Sequence, residues 1–452
     1  MIQVETIETT GLGDRSYLVH DGSAAIVVDP QRDIDRVLDL AARLGVEIQY
    51  VFETHMHNDY VTGGLALAQA TGATYGVSAG DQVSFERLPL VDGQEIQVGS
   101  MRVRVLATPG HTPNHLSYVV SGEDGDRAVF TGGSMLFGAT GRTDLVSPEL
   151  TDELTRKQYA SVRRIAAEVA EAAEVCPTHG FGSFCSATNA VGQRSDIARQ
   201  KSENPALIMD EETFVKTLLA GLVGYPRYYA QMGARNLAGP GAPDLTPVDQ
   251  IDAEELHRRI KAGEWVVDLR NRTAYTKGHM PGTVSIELCD SFVTYLGWTM
   301  KWGTPVTLVA ETPEQIAEAQ RAMVRIGIER PAGGAVGDIA TLANGHGLSS
   351  YPKATFADLA ETLKSGREGV VVVDSRRPDE YESGHIKGAL GIPFYEIEDR
   401  AGEVPDGAEA WVHCAGGFRA SIAASLLDRA GKKVVLVDDD FNKVRELGLE
   451  LV

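Results

Sequence analysis

"ETHMHNDYVTGG", Glu53–Gly64, is the stretch whose reading decides the fold of this chain. His55, His57 and Asp59 alternate as ligands on a short turn do, directly after the apolar run "YVF", which has the pattern of a strand. Position 60 holds Tyr60, where a second metal would want another imidazole. More histidines follow in the same context, in "TPGHTPNHLSYVV" and "CPTHGFGSF". Clusters of histidine at loop starts after apolar strands are hard to explain as packing, because loops at strand ends are where side chains converge on a ligand.

Working outward, the chain is 452 residues long, too long for one core, and its 43% hydrophobic content fits two to four globular domains. Acidic residues outnumber basic ones by 63 to 42, a formal charge of −21, which repels nucleic acid and anionic membrane. No segment approaches the roughly 20 apolar residues of a membrane span, and the N-terminus has no basic start leading into an apolar run, so a cytoplasmic protein is expected. Cys176, Cys185, Cys289 and Cys414 sit in no regular framework, which argues against structural disulfides.

Residues 1 to 235 begin with β-patterned runs and then alternate strands with helical patterns such as "IDRVLDLAARLG", predicting an αβ sandwich. The Gly/Pro-rich segment 236–247 reads as a linker. Beyond it, "VVDLRNRTAYTKGHMPG" (Val266–Gly282) recurs as "VVDSRRPDEYESGHIKG" (Val372–Gly388) at an offset of 106 residues. Two homologous parallel-sheet α/β domains are therefore expected, at 248–348 and 349–452. His279 and His385 read as structural members of their Gly-His turns, and Cys289 as a buried small hydrophobe.

In the second repeat a strand "AEAWVH" runs into "CAGGFRAS" and the helical "IAASLLDRAG". A cysteine between a strand end and a helix start has backbone N–H groups and a positive helix end converging on its sulfur, which favours thiolate at Cys414. Arg419 adds a fixed charge. Between them lie Ala415, Gly416, Gly417 and Phe418, one residue fewer than phosphatases of this general build use to wrap phosphate, so the tighter loop fits a terminal sulfur. "DSR", "EYESGHIKGA" and "CAGGFRAS" together resemble the rhodanese family of sulfurtransferases, which implies a persulfide carried on Cys414. The first repeat has "PVTLVAETPEQIAEAQ" where this loop belongs, with no cysteine, and is expected to be inactive.

The ordered set "THMHNDY", "TPGHTPNH", "TGGSMLFGATGRTDL" and "CPTHG" resembles the metallo-β-lactamase superfamily. With the rhodanese-like repeats behind it, the chain looks most like the persulfide dioxygenase and hydroxyacylglutathione hydrolase branches. The fold implied is α/β: an αββα metallo-β-lactamase sandwich followed by two rhodanese-like domains. The resemblance implies that His55, His57 and His111 hold one metal while Asp59 and His179 face a second. Two positions depart from it: Gly133 stands where the superfamily has a bridging aspartate, and Tyr60 where it has a histidine. A bridged two-metal centre therefore loses two ligands, and the 2-His-1-carboxylate iron site of persulfide dioxygenases loses its carboxylate. The remaining imidazoles suit one divalent metal, Fe(II) or Zn(II), with Asp59 as a candidate fourth ligand. A bound ion and a metal-free pocket both stay open at this point.

These readings lead to a rhodanese-type sulfurtransferase acting through Cys414 and fused to a persulfide dioxygenase-like domain. Expected partners are thiosulfate and a glutathione-like thiol or persulfide, and the resemblance implies a homodimer. The alternatives are a thioester hydrolase of the hydroxyacylglutathione type, and a non-enzymatic sulfane-sulfur carrier on a metal-free scaffold.

Overall fold

A computed structural model describes residues 1–186 and 192–452. The runs "DRSYLVH" and "AAIVV" form strands buried along their whole length, Asp14–His20 and Ala24–Val28, because sheet covers one face and helix the other. They belong to a six-stranded sheet in the order Gln3–Thr9, Asp14–His20, Ala24–Val28, Glu47–Phe52, Thr74–Ser78, Leu88–Leu90. A second sheet runs Glu174–Pro177, Gly125–Gly132, Leu116–Gly122, Met101–Ala107, Glu95–Val98. Tyr17, Ile26, Phe52, Val103, Tyr118 and Phe130 fill the space between the two sheets. Helices Asp35–Leu44 and Gly64–Thr71 close one outer face through Ala41 and Leu67, and helix Thr151–Glu168 closes the other through Val162 and Ile165. This is the expected αββα sandwich.

The chain divides into two compact units, Met1–Asp244 with Val324–Gly327, and the rest of Leu245–Val452. Among the described residues no helix is long and apolar enough to cross a membrane. Asn236, the first residue of the segment read as linker, lies in helix Tyr229–Ala238 and is buried. Its Nδ2 donates to the carbonyls of His57 and Tyr60, both at 2.9 Å, and its Oδ1 accepts from Thr62 N at 3.0 Å. Its local composition resembles a linker, but its side chain clamps the histidine loop.

The second unit holds two parallel sheets. One has four strands, Val284–Ser285, Trp265–Asp268, Val306–Ala310 and Gly333–Val336. The other has five, Lys353–Ala354, Lys433–Val437, Glu409–His413, Val370–Asp374 and Leu390–Gly391. The sequence repeat is also a repeat of bonds. Arg270 Nη2 reaches Asp268 Oδ2 at 2.7 Å and the Gly278 carbonyl at 2.9 Å; Arg376 Nη2 reaches Asp374 Oδ2 at 2.6 Å and the Gly384 carbonyl at 2.8 Å. His279 stacks on Tyr275 and His385 on Tyr381, each donating Nδ1–H to the tyrosine carbonyl. Each buried fork thus ties a strand end to its Gly-His turn. Cys289, expected to be buried, is exposed, because the chain leaves the sheet after Ser285 and turns into helix Phe292–Thr299.

Candidate functional site

Strand Glu47–Phe52 delivers the loop that carries His55, His57 and Asp59; strand Leu116–Gly122 follows the loop carrying His111, and His179 comes just after strand Glu174–Pro177. All five side chains are buried. Donor atoms of His55, His111 and His179 lie within 4.8 Å of one another, as do those of His57, Asp59 and His179, and those of Asp29, Glu53 and His57. The expected trio of His55, His57 and His111 is not among these groups of the described residues.

The hydrogen bonds explain the grouping. Thr54 Oγ1 donates to Asp29 Oδ2 at 2.7 Å, so its lone pair accepts from His55 Nδ1–H at 2.8 Å. His111 Nδ1 donates to the Arg142 carbonyl at 2.7 Å. His179 Nδ1 is held by Asp14 Oδ1 at 2.9 Å and Asp59 Oδ2 at 3.0 Å. Each ring is thereby turned so that Nε2 is its inward atom. His57 faces elsewhere: its Nε2 meets Tyr60 Oη at 2.9 Å, Asp29 Oδ1 at 3.2 Å and Glu53 Oε2 at 3.3 Å. Tyr60, standing where a second metal's histidine is missing, thus caps His57. Asp59 lies behind His179, where Ser183 also donates to it at 3.2 Å.

Electrostatics follow the same division. Burial opposes a charge on His57, but Asp29 and Glu53 overcome it and lift its pKa to about 9. Burial likewise opposes a charge on His179, and Asp59 with Asp14 raises it to about 10. Burial, then repulsion by His179, holds His111 down to about 3, and burial with the neighbouring His57 pushes His55 well below its ordinary value. Burial and the Asp59 charge lift Asp14 to about 7.

Gly133 bears directly on the metal. A Cβ built there would lie 2.2 Å from His111 Cδ2 and 2.6 Å from its Nε2. The place of the missing carboxylate is therefore filled by the His111 ring, and a carboxylate-bridged pair of metals does not fit. One cation does fit the donor set: His111 Nε2 is buried without a hydrogen-bond partner, and the Nε2 atoms of His55 and His179 face each other at 3.3 Å. Buried imidazole nitrogens left without a partner are what a metal ion satisfies. His115 stays outside the set, bonded to Thr108 Oγ1 and to the Gly133 N–H. His20 also lies outside the set, buried at the end of strand Asp14–His20.

The cysteine loop follows strand Glu409–His413 and opens helix Phe418–Arg429. Cys414 is buried, and the Gly417 N–H donates to its Sγ at 3.1 Å. Gly417 has φ 89°, and a Cβ there would strike the Asp438 carboxylate, so only glycine serves. Arg419 does not stand as a free charge: its guanidinium pairs with both carboxylate oxygens of Glu380, the Nη2–Oε1 bond at 2.8 Å. Tyr295 of the first repeat packs against Phe418 with ring centroids 5.2 Å apart. In the first repeat, strand Val306–Ala310 leads to Glu311 where the cysteine loop would begin. Asp14, Asp29, Glu380 and Tyr295 went unnoticed in the sequence; of these only Asp29, a lone carboxylate closing the apolar run "AAIVV", carries a local signal.

Residues 10–179 match the metallo-beta-lactamase superfamily model and residues 355–447 the rhodanese-like domain. A hydroxyacylglutathione hydrolase of Albidiferax ferrireducens is 31% identical over 165 residues, 36% of this chain and 61% of the relative. The mitochondrial persulfide dioxygenase of Homo sapiens is 28% identical over 211 residues, 46% of this chain and 74% of the relative. The chain spans 51% to 61% of the length of three hydroxyacylglutathione hydrolases that it matches. A crystal structure of a metallo-beta-lactamase from Staphylococcus aureus, 24% identical, superposes with a TM-score of 0.67 over 75% of this chain and 99% of that one, a likeness of fold.

Proposed function

Since the chain belongs to the metallo-β-lactamase superfamily and carries a rhodanese-like domain, we propose that it is an enzyme of sulfane-sulfur metabolism whose transferring group is Cys414. The observation that carries this reading is the Gly417 N–H aimed at Cys414 Sγ at 3.1 Å, on a short loop that opens a helix. Thiolate at Cys414 attacks the outer sulfur of thiosulfate; the S–S bond breaks, sulfite leaves with the bonding pair, and a persulfide remains on the cysteine. An acceptor thiolate then attacks the terminal sulfur, forming its own persulfide and restoring the Cys414 thiolate. The loop N–H groups stabilise the negative terminal sulfur, and the Arg419–Glu380 pair holds the start of the helix in place.

In the first unit, His55, His111 and His179 would hold a single ion, iron or zinc, with Asp59 and Asp14 behind His179. A metal bound there supplies a Lewis acid for a thiol or carbonyl group. The chain's own residues exclude water from the site and set which nitrogen of each imidazole carries the proton. Persulfide oxidation, the activity in the human relative's name, suits a site with one metal and no bridging carboxylate. Thioester hydrolysis is the second reading, favoured by the 31% identity to a hydroxyacylglutathione hydrolase and opposed by the filled space at Gly133.

The test is thiosulfate:cyanide sulfur transfer, read as thiocyanate, alongside oxygen uptake with glutathione persulfide. Wild type transfers sulfur, and Cys414→Ser does not while retaining whatever turnover the first unit performs. Absence of transfer by wild type refutes the role given to Cys414. Thioester cleavage that is abolished by chelation, with no oxygen uptake, replaces the first reading of the sandwich by the second.

A further inference from the structure

We propose that the first repeat, which has no cysteine at the place of the sulfur loop, contributes a residue to the Cys414 site: Tyr295 forms the wall on which the carbon body of an organic persulfide rests, and so selects among sulfur donors. The inference rests on sulfur transfer at Cys414 and adds to it the class of donor that is preferred.

The first repeat is anchored on the elements that carry the cysteine loop. Ser285 N–H donates to Ser425 Oγ at 2.9 Å, and His279 Nε2 meets Asp428 Oδ2 at 3.1 Å, both partners lying on the helix that the loop opens. Arg272 Nε donates at 2.9 Å to Asp438 Oδ1, on the carboxylate that lies against Gly417. Helix Phe292–Thr299 then brings Tyr295 against Phe418 of the loop and against Phe394, with ring centroids 5.2 Å apart in each pair. Trp298 backs this wall, nearly parallel to Tyr295 at 6.3 Å and to Tyr395 at 5.5 Å.

Packing alone does not account for Tyr295. Phe292, Val293, Leu296 and Trp298 of the same helix are buried, whereas Tyr295 is partly exposed, as is Phe418, and Ala415 and Gly416 beside the sulfur are exposed. The phenol also lies within electrostatic reach of the reacting group: burial raises its pKa, Arg419 opposes the rise and Cys414 adds to it. An open aromatic wall with a polar tip suits the carbon body of a small organic ligand. Charge points the same way. Arg419 is paired with both oxygens of Glu380, and Arg377, the other cation acting on Tyr295, holds Asp379 through two bonds of 3.0 Å. Dianionic thiosulfate therefore meets guanidinium groups that are already neutralised, while an organic persulfide gains the contact with Tyr295.

In the loading step the Cys414 thiolate attacks the outer sulfur of R–S–SH. The S–S bond breaks, the thiolate R–S⁻ leaves with the bonding pair, and the proton stays on the sulfur now bound to Cys414. Loading is read on the full-length protein by rapid quench and intact mass, as the gain of one sulfur atom beyond any gained by Cys414→Ser. The donors are benzyl persulfide, methyl persulfide and thiosulfate, each rate divided by that donor's reaction with free cysteine. In Tyr295→Ala the ratio of benzyl persulfide to thiosulfate falls by about tenfold, the worth of one aromatic contact, and in Tyr295→Phe it returns to the wild-type value. A merely structural role would slow both donors alike. Tryptophan-monitored melting checks that each variant folds, and wild type gives an answer without any variant, because it is loaded faster by benzyl than by methyl persulfide. The proposal is overturned if folded Tyr295→Ala keeps the wild-type ratio, or if wild type does not distinguish the two persulfides. If no donor loads Cys414 in wild type, sulfur transfer itself is refuted and the role of Tyr295 falls with it.

Discussion

Replacing Gly133 with alanine tests the claim that the His111 ring occupies the missing carboxylate's place. The new Cβ would lie 2.2, 2.5 and 2.6 Å from three atoms of that ring, whereas ordinary contact begins at 3.4 Å, so the ring must move by more than an ångström. Movement breaks the Nδ1 bond to the Arg142 carbonyl, 2.7 Å long. Overpacking costs about 1–3 kcal/mol, and losing the hydrogen bond costs about 0.5–1.5 kcal/mol. Together they destabilise the first unit by about 2–4 kcal/mol. At roughly 2–4 °C per kcal/mol for a unit of this size, its Tm falls by about 4–16 °C. Differential scanning calorimetry reads the change. Trp265, Trp298, Trp302 and Trp411 all belong to the second unit, so fluorescence follows that unit and should be unaffected. Gly224→Ala is the control, since no heavy atom lies within 4 Å of its added methyl. If Gly133→Ala melts with wild type and with the control, the ring is not where the argument places it, and the exclusion of a carboxylate-bridged centre fails.

Other outcomes follow from the same geometry. Glu380→Gln removes the charge that neutralises Arg419, so the KM for thiosulfate falls while the second unit becomes less stable. Burial tends to raise the Glu380 pKa, but Arg419 outweighs it and the carboxyl titrates below its ordinary value. The stability this pair contributes is present above the unfolded carboxylate pKa and is lost as pH falls through the lower folded value. Tryptophan-monitored melting of wild type therefore declines more steeply in acid than that of Glu380→Gln. Asn236→Ala deletes three hydrogen bonds that clamp the histidine loop and lowers first-unit stability by about 2–4 kcal/mol, read by calorimetry. Arg270→Lys and Arg376→Lys each lose a buried fork, and equal shifts in their urea midpoints are expected because the bonds correspond.

Local pattern was enough to read the sandwich and to place the cysteine loop between a strand and a helix. "AAIVV" and "DRSYLVH" form the strands that their β-patterned runs predict. Cys414, Gly417 and Arg419 lie within six consecutive residues. The repeat at offset 106 was equally plain, because each copy makes its arginine fork and Gly-His turn within a span of a dozen residues. Two errors arose where local composition was ambiguous: Asn236 stands in a polar, glycine-rich context yet its side chain is buried, and Cys289, a small apolar side chain after Leu288, is exposed.

The sequence alone therefore determined the fold class, the place of Cys414 between a strand end and a helix start, and the presence of Gly133 and Tyr60 beside the histidine cluster. It could not decide which histidine nitrogens come together, because that depends on contacts between distant residues. Asp14 and His179 are 165 positions apart, Thr178 and Asp29 are 149 apart, and Arg142 turns His111 across 31. A hydrogen bond on one nitrogen of an imidazole sets the direction of the other, and such bonds exist only after the two sheets have packed. The same packing laid His111 over Gly133 and paired Arg419 with Glu380, so the tertiary structure decided the electrostatics of both sites.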